Sequence, residues 1–182
     1  MAWIPGILAV AIVAWFVLTY NRLVRLRNQL QNAWHQIEVQ LTRRHDLIPN
    51  LVEVVKDYMS YEQETLTRVV EARGAALSAR GAAAQAKAEN ALTESLKSLF
   101  AVVENYPDLK ANQNVASLQE ELTSTENKIS FARQYYNDSV MTFNNTIQSI
   151  PSNVIASVFD FKPSEYFSAG PEAAAVPKAD LR

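Results

Sequence analysis

Cysteine is absent from this chain of 182 residues, and glycine and histidine are scarce, at four and two. Without cysteine there is no disulfide, no thiolate zinc site and no cysteine nucleophile. With only His35 and His45 to draw on, a histidine-rich metal site is excluded and a Ser-His-Asp triad would hang on one of two residues. The formal net charge of −2 is too close to neutral for a dedicated nucleic-acid binder, which carries a clustered basic surface. Charge is unevenly spread all the same: residues 1–45 hold five arginines and one acid, whereas residues 46–182 hold 12 basic and 18 acidic side chains. That asymmetry points to a membrane.

No charged side chain precedes Arg22, and the stretch IPGILAVAIVAWFVLTY is apolar but for Thr19 and the Tyr20 hydroxyl. A spanning helix needs about 20 such residues, so the run is just long enough. Trp3 lies at one end and Trp15 with Tyr20 towards the other, where amphipathic rings favour the headgroup zone. A cleaved signal peptide should carry Lys or Arg ahead of its apolar core and small residues behind it. Here the front is MAWIPG, the end is LTYNR, and the A-x-A of Ala9 and Ala11 sits inside the run. Residues 1–21 are therefore expected to be an uncleaved anchor. Arg22, Arg25 and Arg27 follow at once. The positive-inside rule then predicts an inner-membrane protein with a short outer N-terminus and a cytoplasmic C-terminal domain. The same three arginines suit anionic lipid, at about 1 kcal/mol per charge near the surface.

Between Gly6 and Gly170 the breakers are Gly74, Gly81, Pro49, Pro107, Pro151 and Pro163, and the long pieces between them read as helix. Leu23, Leu26, Leu30, Ala33, Ile37 and Leu41 step by three and four, so the span is predicted to run on as an amphipathic helix to about His45. A second helix is expected to start with Asp46 as its N-cap and Pro49 in its first turn, and to include Leu51, Val55, Leu66 and Val69. Gly74 and Gly81 mark a frayed end and a turn. A third helix is expected over residues 84–105, followed by a loop at YPDLKANQN. The fourth carries the clearest pattern: Leu118, Leu122, Thr125, Ile129, Ala132, Tyr136, Ser139, Phe143 and Ile147 hold a three-four spacing up to Pro151. No sustained alternation of apolar and polar residues suggests a strand.

The predicted fold is thus all-α: an N-terminal transmembrane helix continuing into an antiparallel up-down four-helix bundle over 22–150. A short C-terminal helix and an aromatic, membrane-proximal segment follow over 151–167, then a flexible Ala/Pro-rich tail over 168–182. In this scheme Pro49 and Pro107 lie at the membrane-distal end, and Gly81 and Pro151 at the proximal end. Phe161 and Phe167 in FDFKPSEYF then lie near the bilayer, capping the bundle, inserting among the headgroups or meeting a neighbouring subunit.

The densest polar cluster is RRHDLIPNLVE. Adjacent His45 and Asp46 point to different sides of a helix, and His35 with Glu38 forms a di-iron motif in reverse and only once, so no metal or other cofactor is expected. Arg43, His45, Asp46 and Asn50 are read either as hairpin structure or as a distal docking surface. In FARQYYNDSVMTFNNTI, the residues Arg133, Tyr135, Asn137 and Asn144 are split between internal packing and a subunit interface; Asn137 and Asn144, seven apart, share a face. Phosphate loops, nucleophile elbows and zincin motifs are missing, and no catalytic residue is assigned.

Three segments together, YNRLVRLRNQLQNAWHQIEVQLTRRHDLIPNLVE, FARQYYNDSVMTFNNTIQSIPSNVIA and FKPSEYF, resemble the LemA family in sequence and in order. The resemblance covers nearly all of the chain to about Phe167, leaving out the alanine-rich stretch of residues 74–89. It implies a bacterial single-pass membrane protein with an antiparallel helical bundle, no established catalytic residue or cofactor, and relatives at magnetosome membranes. The expected function is that of a membrane-anchored structural or scaffolding protein, not an enzyme, which assembles with copies of itself and with other membrane proteins. It would contact membrane lipid, without nucleic acid or a small-molecule substrate. The alternative is a monomeric adaptor that docks a specific partner, such as a peptidase or a stress-response complex.

Overall fold

A computed structural model describes residues 3–59 and 61–168. They form six helices: α1 (Trp3–Lys56), α2 (Gln63–Ser78), α3 (Ala82–Val103), α4 (Pro107–Lys110), α5 (Gln113–Gln148) and α6 (Ser152–Val158). No strand occurs among the described residues, and the all-α expectation holds. The tail expected over 168–182 lies, apart from Ser168, outside the described residues. The chain divides into two units, residues 3–37 with Ala132–Ser164 and Glu38–Phe131 with residues 165–168, and α1 and α5 each contribute to both.

In the first unit, α1 buries Leu23, Leu30, Ala33 and Ile37, and α5 buries Ala132, Tyr136, Val140, Phe143 and Ile147. Trp34 packs on Tyr136 with ring centroids 5.3 Å apart. The α1 residues before this seam are apolar but bare: Trp3, Ile7, Val10 and Leu18 are all more than half exposed. By length and composition, α1 is long and apolar enough to cross a membrane.

The second unit joins the end of α1 to α2, α3, α4 and the start of α5 around Ile48, Leu51, Val55, Met59, Leu66, Val69, Leu92, Leu96, Leu99, Val103, Leu109 and Leu122. The turn between α2 and α3 takes Gly81 through φ 84°, a conformation that glycine adopts without steric cost. Ala76, Ala82 and Ala86 are all buried there, small enough to let two helices approach closely. Asn112 caps α5, its Oδ1 accepting from the Asn114 and Val115 amides at 2.9 and 3.4 Å.

Several expectations are corrected. Pro49 makes no turn; it lies inside α1, which runs on to Lys56. Proline lacks the N–H that would bond the carbonyl four residues back, that of His45. Here the Arg73 Nε–H of α2 donates to that carbonyl at 2.7 Å, so the acceptor stays satisfied and the helix continues. Asp46 is consequently no N-cap and Asn50 no hairpin residue, and the second helix starts only at Gln63. Leu51 and Val55 belong to α1. The loop expected after Asn105 contains the one-turn α4, entered through Pro107 and anchored by buried Leu109.

Candidate functional site

Arg44 falls on the apolar stripe of α1 with Leu41, Ile48 and Leu51, and Glu89 falls on that of α3 with Ala86, Leu92 and Leu96. Helical spacing therefore sends a cation and an anion into the core of the second unit. Their side chains are 1% and 2% exposed. Arg44 Nη2 donates to the Glu89 carboxylate and, at 3.3 Å, to the Glu89 carbonyl. Its Nη1 donates to Thr93 Oγ1 at 3.0 Å and to Glu126 Oε2, from α5, at 2.5 Å. His45 Nε2 stands 2.9 Å from Glu89 Oε1, which also accepts from Gln85 Nε2 at 2.8 Å. Thr93 completes the layer by donating to the Glu89 carbonyl at 3.1 Å.

Burial is the largest single influence on Glu89 and pushes its carboxyl up. The nearby His45 ring and the Arg44 charge and hydrogen bond together outweigh it and hold the group below its ordinary value of 4.5. Glu89 is thus kept ionised, as a buried counter-ion and not as a proton donor poised near neutrality. Such a layer adds little net stability over an apolar one of similar volume, although removing one partner alone is costly. A cavity of about 160 Å³ opens beside it between Arg44, Leu96, Phe100, Leu122 and Glu126. Among the described residues, no three His, Asp or Glu side chains gather as a metal would need.

In the first unit a second constellation forms around the chain after α6. Phe159 lies against Phe16 and Tyr20, with centroids 5.9 and 4.6 Å apart, and Phe161 lies against Tyr20 and Phe143 at 6.2 and 6.4 Å. The Arg27 guanidinium sits over the Phe161 ring, 5.3 Å from its centroid. Asn144 fixes the segment from α5: its Nδ2 donates to the Ser164 carbonyl, and the Ser164 amide donates to its Oδ1, both at 2.9 Å.

The residues singled out from the sequence are placed as follows. Arg43 is half exposed and meets Glu121 at 3.4 Å, while Asp46 and Asn50 are exposed on α1. His45, drawn into the ionic layer, is buried and offers no docking surface. Tyr135 is exposed, its hydroxyl accepting from Gln29 Nε2 at 3.4 Å; Arg133 and Asn137 are half-buried, and Asn144 is buried in its bond to the backbone. Asn144 is therefore an internal packing residue of its unit. Phe161 is half-buried and Phe167 fully buried. Arg22, Arg25, Arg27 and Trp3 are exposed, with Trp15 and Tyr20 partly covered. The ionic layer itself was missed. Two opposite charges on two apolar stripes, Arg44 and Glu89, were the available signal, masked by the neighbouring Arg43, His45 and Asp46.

The sequence profile of the LemA family matches residues 33–180. This chain belongs to the LemA family. It is similar to two proteins of Paramagnetospirillum magneticum, Magnetosome protein MamQ 1 and MamQ 2, at 26% identity over 89% of this chain and 69% of each relative. It is also similar to Protein LemA of Metamycoplasma hominis, at 26% identity over 82% of this chain and 68% of that protein. The family region takes in the ionic layer and the aromatic segment; the exposed apolar stretch of α1 lies before it.

Proposed function

We infer that this LemA-family protein is a membrane-anchored helical scaffold that assembles with copies of itself at the bacterial membrane, its bundle on the cytoplasmic side. The observation that carries the anchoring is the character of α1: a bare apolar stretch and a packed, amphipathic stretch lie in one unbroken helix of 54 residues. A helix extends about 1.5 Å per residue, so the anchor can be held in a bilayer without a flexible linker to the rest. Arg22, Arg25 and Arg27 at the end of the apolar stretch favour the cytoplasmic placement.

The kinship with proteins named for magnetosomes supports membership of a larger assembly. Light scattering during size exclusion of the detergent-solubilised full-length chain tests this. Discrete particles holding several copies are expected. Monomers would overturn the scaffold in favour of an adaptor that docks a different protein. Orientation is testable cleanly because the chain has no cysteine. A single Ser124→Cys change at an exposed α5 position should resist a membrane-impermeant maleimide in intact cells and react after lysis.

A further inference from the structure

Where the apolar stretch of α1 gives way to its first charges, a groove of about 560 Å³ runs between α1 and the turn joining α5 to α6. This lies within the range of small-ligand sites, about 300 to 1,000 Å³. Trp15, Arg22 and Arg25 line one wall, and Asn145, Ile150 and Ser152 the other. Among the described residues, no carboxylate borders the groove. Residues 1–37 contain no acid at all, and of the two acids in 132–164, Asp160 is 3.2 Å from Lys162. Arg22 and Arg25 are exposed and form no ion pair with any described residue. Arg27 differs, because it is engaged on the Phe161 ring.

The wall is amphipathic. Ile150 is 86% exposed, Leu18 beside it 66%, and Val154 and Val158 are bare one turn apart on α6. The Thr146 and Ser149 hydroxyls already donate to carbonyls one turn back, which leaves the guanidinium groups, the Asn145 amide and the Thr19 and Ser152 hydroxyls to meet a ligand. Two guanidinium groups with no acidic partner among the described residues suit a phosphate. A soluble phosphate would leave the apolar rim in water, whereas a phospholipid would cover it.

We propose that this groove binds the headgroup of an anionic phospholipid, with Arg22 and Arg25 on its phosphodiester and Leu18 and Ile150 against its acyl chains. The proposal rests on the reading that the apolar stretch of α1 lies in a bilayer. It makes the three arginines unequal, which a diffuse attraction of basic residues to a membrane would not.

The full-length chain, in detergent micelles with equal phosphatidylglycerol and phosphatidylcholine, is examined by native mass spectrometry, and the same preparation is floated with liposomes of each lipid. Retention of one phosphatidylglycerol, at least tenfold preferred over phosphatidylcholine, is expected. Arg22→Gln with Arg25→Gln should lower that preference about tenfold, Arg27→Gln less than twofold, and millimolar glycerol 3-phosphate should not displace the lipid. Equal retention of both lipids by the unaltered chain overturns the proposal without relying on any variant. Equal losses from Arg27→Gln and the double change also overturn it, and displacement by glycerol 3-phosphate assigns the groove to a soluble phosphate instead. Flotation with neither liposome would remove the membrane reading and the groove with it. Flotation with both, without lipid preference, removes only the groove.

Discussion

In the unit formed by Glu38–Phe131, Arg44 and Glu89 are almost wholly buried and face one another, whereas in the unit formed by residues 3–37 and 132–164 Arg22, Arg25 and Arg27 all stand exposed. The difference follows from the supply of partners. The second unit draws on acids from two further helices, Glu89 of α3 and Glu126 of α5, and can offset the cost of desolvating a guanidinium with direct ion pairs. The first unit has five basic and two acidic side chains, so Arg22 and Arg25 stay in solvent and Arg27 lies over an aromatic face. A cation enters a protein interior where opposite charge converges on it from elsewhere in the chain. Without that convergence it is left to an external anion.

The largest effect expected from breaking this contrast is at Arg44. Arg44→Ala leaves Glu89 buried without its principal counter-charge, and a loss of about 3–5 kcal/mol in the second unit is expected, read by hydrogen exchange across α3. Arg44→Met combined with Glu89→Met should recover most of it, since Glu126, with its side chain 39% exposed, can turn to water. Recovery of nothing would show that the layer holds the fold by more than mutual neutralisation. Next in size is Asn144→Ala, which removes two hydrogen bonds to the Ser164 backbone. About 1–3 kcal/mol is expected, seen as faster exchange over residues 159–164 with α2 and α3 unchanged.

A pH titration sharpens the comparison further. Because the Glu89 carboxyl is held below its ordinary value of 4.5, its contribution is fully present above that pH. It is lost as pH falls from there through the depressed value. Exchange in α3 should accelerate in that acid window, and Glu89→Gln should flatten the dependence while lowering stability at neutral pH. The smallest effect belongs to Arg43→Ala, whose pair with Glu121 is about half exposed on both sides. A change of about 0–1 kcal/mol is expected in thermal unfolding. A larger loss would mean that Arg43 shares the burden of Arg44.

Much of the fold was legible because it is written in local spacing. The stripe from Leu118 to Ile147 marked α5, and the uncharged run before Arg22 marked the apolar part of α1. Pro49 misled for the opposite reason. Whether proline ends a helix depends on what becomes of the carbonyl it leaves unbonded, and here the answer came from Arg73, 28 residues away. His45 misled likewise, and Arg44 carried no reading of its own: at an expected helix end the choice lay between hairpin structure and a docking surface until Glu89 is placed beside them. Phe161 was recognisable as a packing residue, but its partners Tyr20, Arg27 and Phe143 were not.

The sequence by itself determined the helical class, the apolar stretch with its flanking arginines, the exclusion of thiol chemistry, and the family through three ordered motifs. Each of these depends on composition or on periods of three to four residues, which a single segment carries alone. Tertiary structure alone decided that α1 passes through Pro49, that Arg44 turns inward, and that Arg22 and Arg25 border a groove while Arg27 does not. Those outcomes are set by hydrogen bonds and charges brought together from distant parts of the chain, whose partners no local pattern names.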